Sequence, residues 1–240
     1  MLTLMNMQGI YEYMDFYKEY EYIMNDCTKL EGTNCYCDDM AREELTDIIK
    51  DDNSLIRYSD SGNYHYLTAI YLSKVTTPFS LIVFDHHPDM QLTAFFSILS
   101  CGGWILDVLD NNKYLKEIIV IGVNDELIEN VDEEYRSKVK FVKKSELNTK
   151  LDEVKNYKSD YPIYISIDKD VLKEEYVNTN WDQGDMELDE LEECIKALVS
   201  NNNVLGADVC GEIKLESGNI DYKVIAKSDE CNRRILKCFL

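Results

Sequence analysis

Three short runs of apolar residues constrain the fold of this chain more than any other feature. They are "FSLIVFD" at 79–85, "KEIIVIGV" at 116–123 and "YPIYISID" at 161–168. Each is rich in β-branched or aromatic residues and apolar on both faces, which is typical of strands that a parallel sheet buries on both sides. Weaker strand patterns lie at 54–60 and 204–210.

Helical patterns alternate with these strands. "DDMAREELTDIIKDD" begins with acidic residues suited to a helix N-terminus. "ELDELEECIKALVSNN" has a single apolar face, formed by Leu188, Leu191, Cys194, Ile195 and Leu198. The alternation predicts an α/β fold with a mostly parallel sheet covered by helices. Because the chain has 240 residues and no obvious linker, we predict one domain over residues 1–240.

Composition argues against several classes of partner. The net charge of -21 repels phosphate backbones, so we expect no nucleic acid partner. No apolar run approaches the roughly 18 residues that cross a bilayer, so we expect no membrane association and a cytoplasmic location. The eight cysteines are scattered and are expected to be mostly reduced. Cys35 and Cys37 lack zinc-knuckle spacing and are interpreted as structural.

Two predicted strands end in residues that indicate chemistry. In "LIVFDHHPDM", Asp85, His87 and Asp89 are two apart, so extended backbone directs them to one side. "SIDKDV" repeats this arrangement with Asp168 and Asp170. Because the carboxyl ends of parallel strands meet at one edge of a sheet, we expect these five side chains to converge.

Four converging carboxylates need a cation, because like charges at short range destabilise one another. A pair of divalent metals about 3.5 Å apart, bridged by carboxylates, would use more of these ligands than one metal could. A sixth ligand is available in His65 of "SDSGNYHYLTAIYL", the only other histidine besides His86. Oxygen and imidazole ligands without a thiolate favour manganese over zinc.

These motifs resemble the ureohydrolase family, which includes arginase, agmatinase and formiminoglutamase. The shared pattern is a histidine after a glycine-containing turn, then Asp-x-His-x-Asp, then Ser-x-Asp-x-Asp, over roughly residues 55–215. The resemblance implies a three-layer α/β/α sandwich, as in arginase, and two Mn²⁺ ions per chain. It implies two ligand sets that share Asp85 and Asp168 as bridges: His65, Asp85, Asp89 and Asp168 for one ion, and Asp85, His87, Asp168 and Asp170 for the other.

The same resemblance implies an activity. The expected reaction is hydrolysis of a carbon–nitrogen bond in a guanidino, amidino or amide substrate, with a hydroxide between the two metals as the nucleophile. Asp170 would hold this nucleophile and relay its proton. Glu212 in "GADVCGE" would pair with the cationic group of a small or peptide-borne guanidino substrate, although it lies one position later than the family's glutamate. The family often forms oligomers, so a homo-oligomer is expected.

The chain departs from the family pattern at three places, and alternatives therefore stay open. It has "GNYH" where "GGDH" is more usual, no Asp-Pro after the second motif, and Cys101 of "SCGGW" where arginases have a proton-shuttling His-Gly. One alternative is a metal-holding member without turnover. Another is an Asp-His-His phosphoesterase, although no histidine follows His87. Trp181, Asp182 and Gln183 either line the mouth of the site or belong to an ordinary loop.

Overall fold

A computed structural model describes residues 1–92, 98–215 and 221–240. The strands in these segments are β1 (Leu2–Asn6), β2 (Tyr22–Asp26), β3 (Tyr36–Cys37), β4 (Ile56–Tyr58), β5 (Phe79–Phe84), β6 (Leu99–Ser100), β7 (Leu115–Val123), β8 (Lys140–Lys143), β9 (Ile163–Asp168) and β10 (Val204–Cys210). An eight-stranded sheet has the order β2-β1-β4-β10-β9-β5-β7-β8, with all neighbours parallel. Strands β3 and β6 pair antiparallel in a separate two-stranded sheet.

Helices cover both faces of the large sheet. They are α1 (Asp39–Ile48), α2 (Leu67–Ser73), α3 (Trp104–Asn111), α4 (Asp125–Glu129), α5 (Glu133–Arg136), α6 (Leu147–Lys155), α7 (Leu188–Asn201) and α8 (Tyr222–Lys237). The two-residue period of β5 divides its side chains between two cores. Ile82 and Phe84 pack with α6, α7 and α8, whereas Leu81 and Val83 pack with α1, α2 and α3. The predicted three-layer α/β/α sandwich is therefore confirmed.

The predicted strands and helices all appear. The five strand patterns correspond to β4, β5, β7, β9 and β10, and the two helical patterns to α1 and α7. The sequence patterns did not indicate β1, β2 or β8. Strands β2 and β8 lie at the two edges of the sheet and are only partly buried, so they lack a continuous apolar run. In the described segments, no helix is both long and apolar enough to cross a bilayer.

The strand order brings four carboxyl ends together. Strands β4, β10, β9 and β5 are consecutive neighbours at the centre of the sheet, where the order of the chain reverses. Crevices at such reversals are where α/β proteins bind ligands. Asp85 follows β5, Asp168 ends β9, and His65 follows β4 after a short 3-10 helix at Gly62–Tyr64. The candidate site therefore lies at this central edge.

Candidate metal centre

The six predicted ligands come together at this edge of the sheet. One group consists of His65, Asp85 and Asp89, and within it one donor atom per residue lies within 4.8 Å of the others. A second group satisfies the same distance limit and shares one carboxylate with the first: Asp85, His87 and Asp170. A third group joins Asp168 to His65 and to Cys210, which the sequence analysis did not include. Whether these side chains bind metal stays a prediction.

The first group has the spacing of atoms around one cation. His65 Nδ1 lies 2.9 Å from Asp89 Oδ2, 3.3 Å from Asp85 Oδ2 and 3.6 Å from Asp168 Oδ2. Two ligand atoms at about 2.1 Å from a common ion are roughly 3 Å apart when they meet at a right angle. Within the described residues, His65 Nδ1 and Asp85 Oδ2 are buried and lack a hydrogen-bond partner. Unpaired buried polar atoms that face one another fit a cation site.

The second group uses the other oxygen of the shared carboxylate. Asp85 Oδ1 lies 3.6 Å from His87 Nδ1, which is 2.8 Å from Asp170 Oδ2. The two oxygens of Asp85 therefore face the two groups, as a bridging ligand requires. Backbone N–H groups hold the neighbouring carboxylates in place, since His86 donates to Asp170 Oδ1 and Asp170 donates to Asp168 Oδ1, both at 3.0 Å.

Neighbouring side chains fix the orientation of His65 and Asp89 in the first group. His65 Nε2 lies 3.0 Å from Ser166 Oγ, which donates to Asp208 Oδ1 at 2.9 Å, so the ring presents Nδ1 to the carboxylates. The parallel register of β9 and β10 pairs Ser166 with Asp208 and makes this contact possible. Asp89 has a positive φ of 47° and accepts a hydrogen bond from the Trp104 indole at 2.6 Å. Sequence reasoning missed Asp208, although an acidic residue inside an apolar strand was an available signal.

The pKa values of Asp168, Asp170, His87 and His65 are all raised above their usual values. Burial, followed by the charges of Asp170 and Asp85, raises the pKa of Asp168 to about 7. Burial and the charge of Asp85 raise the pKa of Asp170 to about 6. Burial acts to lower the pKa of His87, but hydrogen bonds to Asp170 and Asp85 raise it to about 12. Burial also acts to lower the pKa of His65, but its thiol and carboxylate neighbours raise it well above its usual value.

These shifts predict that cation affinity rises with pH. Binding must displace protons from Asp168, Asp170, His65 and His87, and all four pKa shifts are upward, so they act in the same direction. We expect the apparent affinity for Mn²⁺ to increase by at least about tenfold per pH unit between pH 6 and 8. Calorimetric titrations in buffers of different ionisation enthalpy measure both the affinity and the protons released. A flat affinity with no proton release would contradict this prediction.

The candidate ligand side chains open into a cavity of about 210 Å³. Its wall includes His87, Asp89, Asp168 and Asp170 together with the side chain of Trp181. The Trp181 indole lies 6.2 Å from the His87 ring, ring centre to ring centre. For Trp181, the structure therefore favours the first of the two interpretations of this loop, in which it lines the mouth of the site.

The other residues singled out around the cavity have different surroundings. Trp181 Nε1 donates to Asn63 Oδ1 at 3.0 Å, which ties this loop to the turn before His65. Gln183 does not line the cavity and donates to backbone carbonyls of its own loop. Cys101 lines the cavity, and burial raises the pKa of its thiol. A thiol that stays protonated is a poor replacement for a proton-shuttling imidazole.

Glu212 lies outside the cavity wall. Its carboxylate and the Lys169 ammonium are both fully buried, with Oε1 and Nζ 2.5 Å apart. Asn232 donates to Glu212 Oε1 at 2.6 Å, and Ser228 donates to Oε2. A carboxylate already satisfied by this many partners has no free side for a substrate cation. The position of Glu212 therefore argues against its expected role, and its one-residue offset from the family pattern was a sequence signal in the same direction.

The fold and these convergent side chains define an α/β/α protein with a candidate metal centre at the carboxyl ends of its central strands. A sequence profile of the arginase family matches residues 63–212, which is more than half of the chain. The chain therefore belongs to the arginase family. This match favours the ureohydrolase alternative over the phosphoesterase one.

One curated relative and several solved structures are similar to this chain over most of its length. An uncharacterized protein of Thermotoga maritima is 28% identical over 236 residues, which cover 98% of this chain and 88% of the relative. The crystal structure of arginase from Bacillus cereus is 12% identical with a TM-score of 0.68, over 98% of this chain and 97% of that one. Proclavaminate amidino hydrolase from Streptomyces clavuligerus is 14% identical with a TM-score of 0.66, over 97% and 78% respectively. At these identities, the solved structures show a common fold.

Proposed function

We propose that the protein is a hydrolase of carbon–nitrogen bonds that depends on two divalent cations and acts on a guanidino, amidino or amide substrate. The observation that carries this proposal is the pair of ligand groups that share Asp85 and face one cavity. Names of relatives point the same way, since one is an amidino hydrolase and another, from Thermoplasma volcanium, an agmatine ureohydrolase. A cytoplasmic location and self-association belong to the same proposal.

Distances between donor atoms support the first ligand set and three members of the second, Asp85, His87 and Asp170, whereas Asp168 enters the second set through the family resemblance. One cation would be held by His65, Asp85, Asp89 and Asp168, and the other would be held by Asp85, His87, Asp168 and Asp170. Both sets contain only oxygen and imidazole ligands, which suit manganese. When bound, two such cations lower the pKa of water and polarise the bond that is cleaved.

The protein's own residues supply positioning and proton transfer. Asp170 lines the cavity, and its Oδ2 is the atom proposed to accept a proton from the attacking water and pass it to the leaving amine. The backbone N–H of His86 donates to Asp170 Oδ1 at 3.0 Å and holds the carboxylate in place. Trp181 forms an aromatic wall at the mouth, and a planar cationic group can stack on such a face.

A substrate panel tests the proposal. Manganese-loaded protein is incubated with free and peptide-borne guanidino compounds, amidines and amides, and the release of urea, ammonia or amine is measured. We expect turnover of at least one class, its loss after chelation and its return with added Mn²⁺. If the protein holds two cations and yet releases nothing across the panel, the activity is contradicted and a non-catalytic metal-binding role takes its place.

A further inference from the structure

Cys210 lies among the proposed metal ligands. It ends β10, and the parallel register places it directly opposite Asp168 at the end of β9. Its Sγ is 3.2 Å from Asp168 Oδ2, and its side chain is fully buried. Donor atoms of His65, Asp168 and Cys210 all lie within 4.8 Å of one another. The Cys210 thiol therefore satisfies the same distance limit to His65 and Asp168 as the members of the other two groups satisfy to one another.

An imidazole nitrogen that is buried and unpartnered among the described residues indicates that this group faces a ligand. His65 is only 1% exposed, and its Nδ1 has no hydrogen-bond partner in the described part of the chain. The Asp168 carboxylate is also held in place by glycines. A Cβ atom at Gly62 would lie 2.9 Å from Asp168 Oδ2, and one at Gly211 would lie 2.5 Å from Oδ1. Such close backbone approach keeps Asp168 Oδ2 beside the thiol.

We propose that Cys210 is a ligand of the cation that His65 and Asp168 hold. This inference rests on the proposed metal centre and changes one of its two positions. Sulfur is a soft ligand that zinc and cobalt accept readily, whereas manganese prefers oxygen ligands. The position at His65 therefore favours a thiophilic dication, and the position at His87 keeps its nitrogen and oxygen ligands. On binding, the thiol releases its proton to solvent and a metal–sulfur bond forms without any change of oxidation state.

Cobalt substitution tests the inference by a signal that does not depend on turnover. The metal-free protein is titrated with Co²⁺, and the bound metal and the ultraviolet absorption spectrum are measured. A thiolate bound to Co²⁺ gives an intense sulfur-to-metal charge-transfer band, whereas oxygen and nitrogen ligands do not. We expect this band in the wild type and its loss in Cys210→Ser. We also expect the Cys210→Ser variant to bind zinc more weakly by more than about tenfold, with a smaller change for manganese.

Two matched variants identify the sulfur. Cys101→Ser removes the thiol that lines the cavity, and Cys194→Ser removes a fully buried thiol on α7, remote from the site. Both should keep the band. X-ray absorption of the zinc-loaded wild type needs no variant and should show a zinc–sulfur distance of about 2.3 Å.

The outcomes separate this inference from the proposed function. If cobalt binds without a charge-transfer band, or if the band persists in Cys210→Ser, Cys210 is not a ligand although the metal centre stands. If neither cobalt nor manganese binds the wild type, the metal centre and the inference fail together. If Cys210→Ser does not fold, the absence of sulfur around zinc in the wild type still overturns the inference.

Discussion

Replacing Asp168 by asparagine is expected to reduce bound manganese from about two equivalents to fewer than one and to lower kcat/KM by at least about a thousandfold, or ~4 kcal/mol. Asp168 Oδ2 faces both His65 Nδ1 and Cys210 Sγ, so an uncharged amide removes a central donor. The measurements are metal content after dialysis and initial rates on whichever substrate the panel identifies.

Stability distinguishes loss of binding from loss of fold. Asp168 is buried beside the charges of Asp170 and Asp85, which raise its pKa, so the metal-free variant should be at least as stable as the metal-free wild type. Asp160→Asn is the matched control, because Asp160 is exposed just before β9, at the opposite end of that strand. It should leave metal content and rate unchanged. Full metal content in Asp168→Asn would remove this residue from the proposed site.

Replacing Lys169 by methionine is expected to destabilise the protein by about 3–5 kcal/mol. The change leaves the Glu212 carboxylate buried without its cation, and Ser228 and Asn232 lose their contacts with the ammonium at 2.9 and 2.8 Å. For a chain of this size, that loss corresponds to a fall in Tm of roughly 10 °C. Thermal unfolding followed by circular dichroism measures it.

Two further variants test the cause. Lys173→Met removes a lysine that is paired with the partly exposed Glu187, and it should cost less than about 1 kcal/mol. The double variant Lys169→Met with Glu212→Leu removes both buried charges and should recover much of the stability lost by Lys169→Met alone. If the double variant is no more stable than the single one, the buried pair is not the reason for the loss.

Much of the fold was predictable because the central parallel strands have a recognisable apolar pattern in the sequence. Strands such as β5 and β9 are buried on both faces, and this leaves a continuous apolar run in the sequence. Edge strands such as β2 are half exposed, so their sequence, "YIMND", has no such run. The ligand motifs were visible for a similar reason, since side chains two apart in extended backbone at a strand end share one direction.

The surroundings of Glu212 and Cys210 were not predictable in this way. Each depends on which residue of a neighbouring strand or helix lies opposite, and a single sequence does not contain that register. Lys169 is an example of this dependence. It lies between Asp168 and Asp170 in the sequence, yet its side chain forms a buried ion pair with Glu212. The offset of one residue at Glu212 was visible, but its consequence was not.

The sequence by itself determined the α/β class, the central strands and the six candidate ligands, because burial and the two-residue period act within a few consecutive residues. Only the tertiary structure decided which glutamate lies in a buried ion pair and which thiol faces the candidate site. Those outcomes arise from contacts between strands far apart in the chain, such as the pairing of Cys210 with Asp168.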